Sequence, residues 1–291
     1  DLWENDEISR WIDQFQLGWE RDVARSIIAD LSIVGANDLI AGLQKEVSKA
    51  ICSVDGKVAL YPMTKVRSNR SYFDPKTGKP EANLKRFPFD IRKGGSSGTI
   101  EHILKYIKKQ FGSRVSLKPG LNELRKRKVR HLLVVDDFIA SGTTAKSFLE
   151  GLYGGQRFCD EDQRNKSTVK SWCSSNLMTF QPIAYAATST ALSNLEGFLS
   201  PYVRPTGYCR LIESGAMMSL ATREHIRRLC DKYAGKAVSG RFKALGYCDA
   251  GTNIVFQYSC PNTAPLILWS PNTLVKPLFP NQSVSADVYQ A

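Results

Sequence analysis

Leu132-Leu133-Val134-Val135-Asp136-Asp137-Phe138-Ile139-Ala140-Ser141-Gly142-Thr143-Thr144 decides how the rest of the chain is read. Four apolar residues run together ahead of two adjacent carboxylates. A run of this kind, rich in β-branched valine, is the pattern of a strand buried on both faces of a parallel sheet. The carboxylates are expected to end the strand, and a loop of small and hydroxyl residues follows them. Ala145, Phe148, Leu149, Leu152 and Tyr153 then recur at helical spacing, and Gly154-Gly155 supplies a stop. The segment is predicted as strand, acidic pair, small-residue loop and helix.

That order carries chemistry. Ala140 to Thr144 falls where a helix leaves its first backbone N–H groups unsatisfied and its dipole positive, an arrangement that favours phosphate. Gly142 lets the backbone approach an anion closely, and Ser141, Thr143 and Thr144 add hydroxyl donors. Asp136 and Asp137 are poor phosphate ligands but good acceptors for a vicinal diol. A phosphate beside a diol describes a ribose 5-phosphate. The plainer reading is an ordinary strand-to-helix turn with Asp136, Asp137 and Ser141 as caps. Caps alone need neither two carboxylates nor a hydroxyl-glycine-hydroxyl loop.

Composition sets the frame. The 291 residues allow one large α/β domain or a core with two additions. No run of eighteen apolar residues occurs, so neither a membrane span nor a membrane partner is expected. The acidic Asp1 to Asp6 does not read as a secretory signal. Seven scattered cysteines without a C-x-x-C pair fit reduced thiols and a cytoplasmic location better than disulfides or zinc. The formal charge of +12 fits a nucleic-acid or other polyanion partner, and equally fits plain solubility.

Working outward, residues 1–50 read as helical, with Trp11, Phe15 and Trp19 on one face and Asn37 or Asp38 capping a later helix that carries Leu39, Ile40, Leu43 and Val47. Val58 to Tyr61 is a predicted strand ended by Pro62. A long loop rich in Pro, Gly and Lys follows; Lys65, Arg67 and Arg70 at its start are either a pyrophosphate grip or a solvated basic stretch. Gly94 to Thr99 opens a helix bearing Ile100, Ile103, Leu104, Ile107 and Phe111. That opening is a second anion site or a turn with Thr99 as N-cap. Arg125 to Arg130 reads as a solvated edge or a nucleic-acid contact. Phe180 to Ala187 is the next predicted strand, completing a right-handed parallel unit. Thr222 is expected to cap a helix with Ile226, Leu229, Cys230 and Tyr233 inward. Ala244–Tyr247 and Ile254–Tyr258 are expected to pair around Asp249-Ala250-Gly251.

Residues 132–144 resemble the phosphoribosyl-pyrophosphate (PRPP) motif of type I phosphoribosyltransferases: an apolar strand, two acidic residues, three variable residues, then Ser/Thr-Gly-x-Thr. Phe138 is bulkier than the usual aliphatic. Trp11-Ile12-x-Gln14-Phe15 and Pro261-Asn262-x-x-Pro265-x-Ile267-x-Trp269 are similar to segments of the phosphoribosyltransferase-like proteins of bacterial conflict systems, which include antiphage and retron-associated ones. The resemblance implies an α/β fold with a type I phosphoribosyltransferase-like parallel sheet flanked by helices. It implies a helical N-terminal cap at 1–50, a core at 51–200 and a mixed C-terminal hood at 201–291. It further implies a phosphoribosyltransferase-like antiphage effector that binds PRPP or a related ribose phosphate nucleotide and transfers or cleaves at ribose C1. Asp136 and Asp137 would be the catalytic pair, and Ala140, Ser141, Gly142, Thr143 and Thr144 the ribose 5-phosphate cradle. Lys65, Arg67 and Arg70 would contact pyrophosphate, and Mg²⁺ would arrive with that pyrophosphate. A reverse transcriptase or nucleic-acid complex is the implied partner. The alternative is a nucleotide-sensing module without catalysis.

Overall fold

The computed structural model describes residues 5–64, 66, 72–74, 77–80, 96–153, 175, 178–198, 201–212, 220–235 and 240–280. In chain order the elements are α1 (Asp6–Ile12), α2 (Gly18–Asp30), β1 (Ser32–Val34), α3 (Ala36–Cys52), β2 (Lys57–Pro62), α4 (Ser96–Phe111), β3 (Val115–Leu117), α5 (Leu121–Arg127), β4 (Val129–Ile139), α6 (Thr143–Tyr153), β5 (Thr179–Thr188), α7 (Ser189–Leu195), β6 (Gly207–Ile212), α8 (Leu220–Tyr233), β7 (Phe242–Lys243), β8 (Gly246–Tyr247), β9 (Ile254–Phe256) and α9 (Leu266–Trp269). They form two compact units. One is residues 40–211; the other is built from both ends of the chain, residues 1–39 and 212–291.

Residues 40–211 carry a five-stranded sheet in the order β3-β2-β4-β5-β6, with helices flanking it. β4 is central and runs parallel to both neighbours. Its run Leu132 to Val135 is at most 1% exposed, as a strand covered on both faces requires. Burying each such side chain stabilises the fold by roughly 1.5–3 kcal/mol. On one face Ala145, Phe148, Leu149 and Leu152 of α6 join Tyr61 and Tyr72 in the core. The rings of Tyr72 and Phe148 meet at 4.9 Å and those of Tyr61 and Tyr72 at 5.3 Å, both edge to face.

Three readings of this unit change. The acidic pair does not end the strand: β4 continues to Ile139, with Phe138 opposite Ala186 and Ile139 opposite Ala187. Arg125 to Arg127 is not an edge but the last turn of α5, whose Leu121 and Leu124 are buried. Cations at that end suit the helix dipole, and Lys128 closes the helix in the left-handed region at φ 53°. Arg127 is tied to Ser116 Oγ and the Ser113 carbonyl, and lies 3.3 Å from Glu123. α4 begins at Ser96, so Thr99 lies within its first turn rather than at the cap.

In the unit built from the chain ends, Ile8, Trp11, Phe15, Ile27 and Ile28 pack with Ile226, Leu229, Cys230 and Tyr233 of α8. The single face expected for Trp11, Phe15 and Trp19 is broken: α1 ends at Ile12 and α2 starts at Gly18, leaving Trp19 42% exposed. β1 was not legible and pairs parallel with β9. Ile254 to Phe256 therefore does not pair with Ala244–Tyr247; β8 pairs antiparallel with β7 instead. The caps expected at Asn37 or Asp38 and at Thr222 fall inside α3 and α8, which begin at Ala36 and Leu220. Trp269 is half-buried and packs against the core: its Nε1 donates to the Ala264 carbonyl at 3.0 Å, beside buried Leu266, Ile267 and Leu268. Among the described residues no helix is long and apolar enough to cross a membrane.

Candidate functional site

Strand pairing brings the motif together. In a parallel sheet the strands finish on one edge, where ligands bind in α/β folds. Asp136 lies opposite Ala184 of β5, and the Met63 N–H, one residue past β2, donates to the Val135 carbonyl at 2.7 Å. Asp136 and Asp137 thus sit on the strand between the exits of β2 and β5. Asp136 is half-buried and Asp137 is 7% exposed. Asp136 Oδ1 accepts the Asp137 N–H at 3.0 Å, and Asp137 Oδ1 accepts the Phe138 N–H at 2.9 Å.

The electrostatics follow from burial. Desolvation pushes the Asp136 carboxyl well above the usual carboxylate range, and the charge of Asp137 and a hydrogen bond between the two side chains push it the same way. Burial and the neighbouring carboxylate thus both favour the neutral form of Asp136 over its charged form.

The cradle is held from two sides. Gly142 precedes α6 in the left-handed region at φ 75°, which a side chain resists. Ser141 Oγ accepts the Thr143 N–H at 3.4 Å and donates to Thr143 Oγ1 at 3.1 Å. This ties the hydroxyls of the loop to one another at the helix start. Thr143 and Thr144 are exposed, and Ala140 and Ser141 are half-buried.

The second support was not legible beforehand. Thr188, 4% exposed, caps α7 by accepting the Ala191 N–H at 3.0 Å, and its hydroxyl donates to the Ala140 carbonyl. Asn194 Nδ2 donates to the Ser141 carbonyl at 3.1 Å. A Cβ on Gly142 would stand 3.2 Å from both the Ala191 carbonyl oxygen and Leu195 Cγ. The sequence signal available was Thr188-Ser189 directly after a predicted strand, a helix-cap pair; its contact with a loop 48 residues away has no local signature.

Lys65, Arg67 and Arg70 lie outside the described residues. Beside them in sequence, Thr64 Oγ1 is buried and has no hydrogen-bond partner among the described residues. Among those residues no group of three or more His, Cys, Asp or Glu gathers where it could hold a metal.

A central parallel strand that delivers an acidic pair and then a small-residue loop at a helix start defines an α/β fold of the phosphoribosyltransferase type. The chain belongs to the PRTase-CE family, whose model matches residues 8–281. No curated protein and no solved structure matches it.

Proposed function

We propose that the chain binds PRPP, or a related ribose 5-phosphate nucleotide, at the β4–α6 loop and transfers or cleaves at ribose C1. We place it as an effector of a bacterial antiphage system, working in the cytoplasm, on the strength of the resemblance at its two ends. One observation carries the ligand reading: the hydroxyl-rich loop at the start of α6 and the acidic pair of β4 lie on the same edge of the sheet, separated along the strand.

The 5-phosphate is held by backbone N–H groups at the α6 start and by the hydroxyls of Ser141, Thr143 and Thr144. Asp136 and Asp137 hold the ribose hydroxyls. The C1–O bond to pyrophosphate breaks with its electron pair leaving on pyrophosphate, and the acceptor's lone pair forms the new bond at C1. The oxocarbenium-like charge that develops is stabilised by the carboxyl pair nearby, and the leaving group by Lys65, Arg67 and Arg70. The Thr64 hydroxyl, buried and without a hydrogen-bond partner among the described residues, directly precedes Lys65 in sequence. Mg²⁺, arriving with the pyrophosphate, would supply further neutralisation of the leaving charge.

A second reading is favoured by the surroundings of Asp136: burial and the Asp137 charge favour its neutral form, which can hold a diol but cannot itself take a proton from an acceptor. On this reading the site senses a nucleotide, and the chain acts through a reverse transcriptase or nucleic-acid partner. The test is calorimetric titration with PRPP, together with pyrophosphate release with and without Mg²⁺ over nucleotides and RNA as acceptors. Release supports transfer or cleavage; binding without release supports the sensing module; no binding of PRPP or ribose 5-phosphate overturns both.

A further inference from the structure

The two faces of α4 differ sharply in chemistry. Ile100, Ile103, Leu104 and Ile107 turn inward and are at most 3% exposed. The exposed positions are His102, Lys105, Tyr106, Lys108, Lys109 and Gln110. Three of these are lysine and none is acidic. The other long helices mix their signs: α2, α3, α6 and α8 expose Asp22, Asp38, Glu150 and Glu224 respectively.

The acid that α4 does carry is turned inward. Glu101 is 4% exposed, and its carboxylate lies 2.9 Å from Lys118 Nζ and 3.4 Å from Lys105 Nζ. Among the described residues no carboxylate comes within ion-pair distance of Lys108 or Lys109. Neighbouring elements do not cancel the charge. Glu123 of α5 is paired with Arg127 at 3.3 Å. Arg114, just past α4, donates to the carbonyls of Ile51 at 2.8 Å and Gly56 at 3.3 Å rather than to a carboxylate. Lys105 and Lys109 stand one turn apart, about 6 Å along the axis. Like charges at that spacing disfavour a helix, so local stability does not account for them. Tyr106 shares the face and is 57% exposed.

Such a face calls for a polyanion, and its composition selects among polyanions. A lipid surface takes up an amphipathic helix through its apolar side, and that side of α4 is committed to the core. Protein interfaces are depleted in lysine at their centres and need several apolar anchors, where this face offers one ring. A phosphodiester backbone carries a charge at every nucleotide and takes lysine and the tyrosine hydroxyl as partners. We propose that the exposed face of α4 binds the phosphodiester backbone of a nucleic acid, with Lys105, Lys108 and Lys109 on phosphates and the Tyr106 hydroxyl donating to a phosphate oxygen. One helix face encloses no base, so the contact carries no sequence information. The surface does not rest on the reading given for the β4–α6 loop.

The experiment is fluorescence anisotropy of the intact chain with a labelled single-stranded oligonucleotide, repeated over a salt series. The wild type is expected to bind two unrelated sequences alike, with affinity falling as salt rises. Lys105→Gln/Lys108→Gln/Lys109→Gln removes three phosphate contacts, so affinity drops and the slope of log affinity against log salt flattens by about 2. Lys105→Arg/Lys108→Arg/Lys109→Arg keeps the charge and should keep both affinity and slope, which separates lost contacts from a damaged helix. Tyr106→Phe loses a donor without a charge and should weaken binding at an unchanged slope; unchanged affinity would strike the tyrosine from the contact. Arg228→Gln/Arg241→Gln/Lys243→Gln removes the same charge from exposed positions of the other unit and should bind like wild type. The proposal is overturned if the wild type binds no oligonucleotide at low salt, if this last variant loses as much as the α4 glutamine variant, or if one sequence is strongly preferred. It is equally overturned if polyglutamate or phosphatidylserine vesicles displace the oligonucleotide as well as unlabelled oligonucleotide does at equal charge.

Discussion

Thr188→Val is the sharpest probe of how the fold builds the loop. The substitution keeps the shape of the side chain and removes its hydroxyl. Two contacts are lost: the acceptor for the Ala191 N–H, which caps α7, and the donor to the Ala140 carbonyl. Losing a threonine N-cap costs about 1 kcal/mol. Leaving a covered carbonyl without its donor adds about 1–2 kcal/mol. The sum, about 2–3 kcal/mol, corresponds to a Tm lower by roughly 4–12 °C for a unit of this size. Because Ala140 begins the loop, affinity for PRPP should fall along with stability. Thr188→Ser keeps the hydroxyl and should recover most of both. Differential scanning calorimetry and isothermal titration with PRPP, run on the three proteins side by side, decide the matter. If the valine variant melts and binds like wild type, or if serine behaves like valine, Thr188 does not hold the loop and the reasoning fails.

Asp137→Asn keeps an oxygen for the Phe138 N–H but removes the charged acceptor, worth roughly 1.5–3 kcal/mol per hydrogen bond; titration should show PRPP binding weakened about ten- to a hundredfold. Gly142→Ala places a Cβ 3.2 Å from the Ala191 carbonyl at a φ of 75° and should lower Tm, whereas Gly98→Ala, with nothing within 4 Å of its Cβ, should hold or raise it. Asp136 has a folded pKa raised by burial, so the native state binds more protons than the unfolded one between the ordinary carboxylate range and that raised value. Its contribution is complete below the unfolded pKa and is lost as pH rises towards and through the folded one. Denaturant titrations over pH should show Asp136→Asn losing part of that decline and standing relatively more stable at neutral pH. Arg127→Ala removes the ties to Ser113, Ser116 and Glu123 and should lower Tm, while Lys126→Ala, exposed on the same turn, should change it little.

What the sequence disclosed and what it hid divide along one physical line. Leu132 to Val135 was legible because burial on both faces leaves an unbroken apolar run, and the α6 face was legible because packing on a sheet repeats every three to four residues. The end of β4 was misplaced because carboxylates usually mark a strand's exit. Here the strand goes on, since pairing with Ala186 and Ala187 supplies the next backbone partners. The seven residues of α5 hold two buried leucines, too few to show a period beneath the run Arg125 to Arg130. β1 and β9 are three residues each and pair across more than two hundred residues, so no local pattern announces them. Thr188 stood only as the residue after a predicted strand; neither its cap on α7 nor its contact with Ala140 was read. Local chemistry marked the loop, and only the folded chain showed what steadies it.

The upward shift of the Asp136 carboxyl also bears on how an acidic pair could share a sheet edge with the proposed phosphate site. A full charge about 6 Å from another costs about 3 kcal/mol at an effective dielectric of about 20. Two ionised carboxylates would work against a phosphate at the α6 start. Burial and the charge of Asp137 favour the neutral form of Asp136 and so oppose the second charge. With Asp136 in that neutral form, the pair would offer one carboxylate to accept from a sugar hydroxyl and one carboxyl that can both donate and accept. Such a pair would match a diol, whose hydroxyls themselves donate and accept, more closely than two anions would. Asparagine is a near mimic of the neutral carboxyl and a poor one of the charged. Substitution at Asp136 should therefore leave PRPP affinity closer to wild type than the same substitution at Asp137. Equal losses at both positions would mean that the pair binds its ligand with both carboxylates charged.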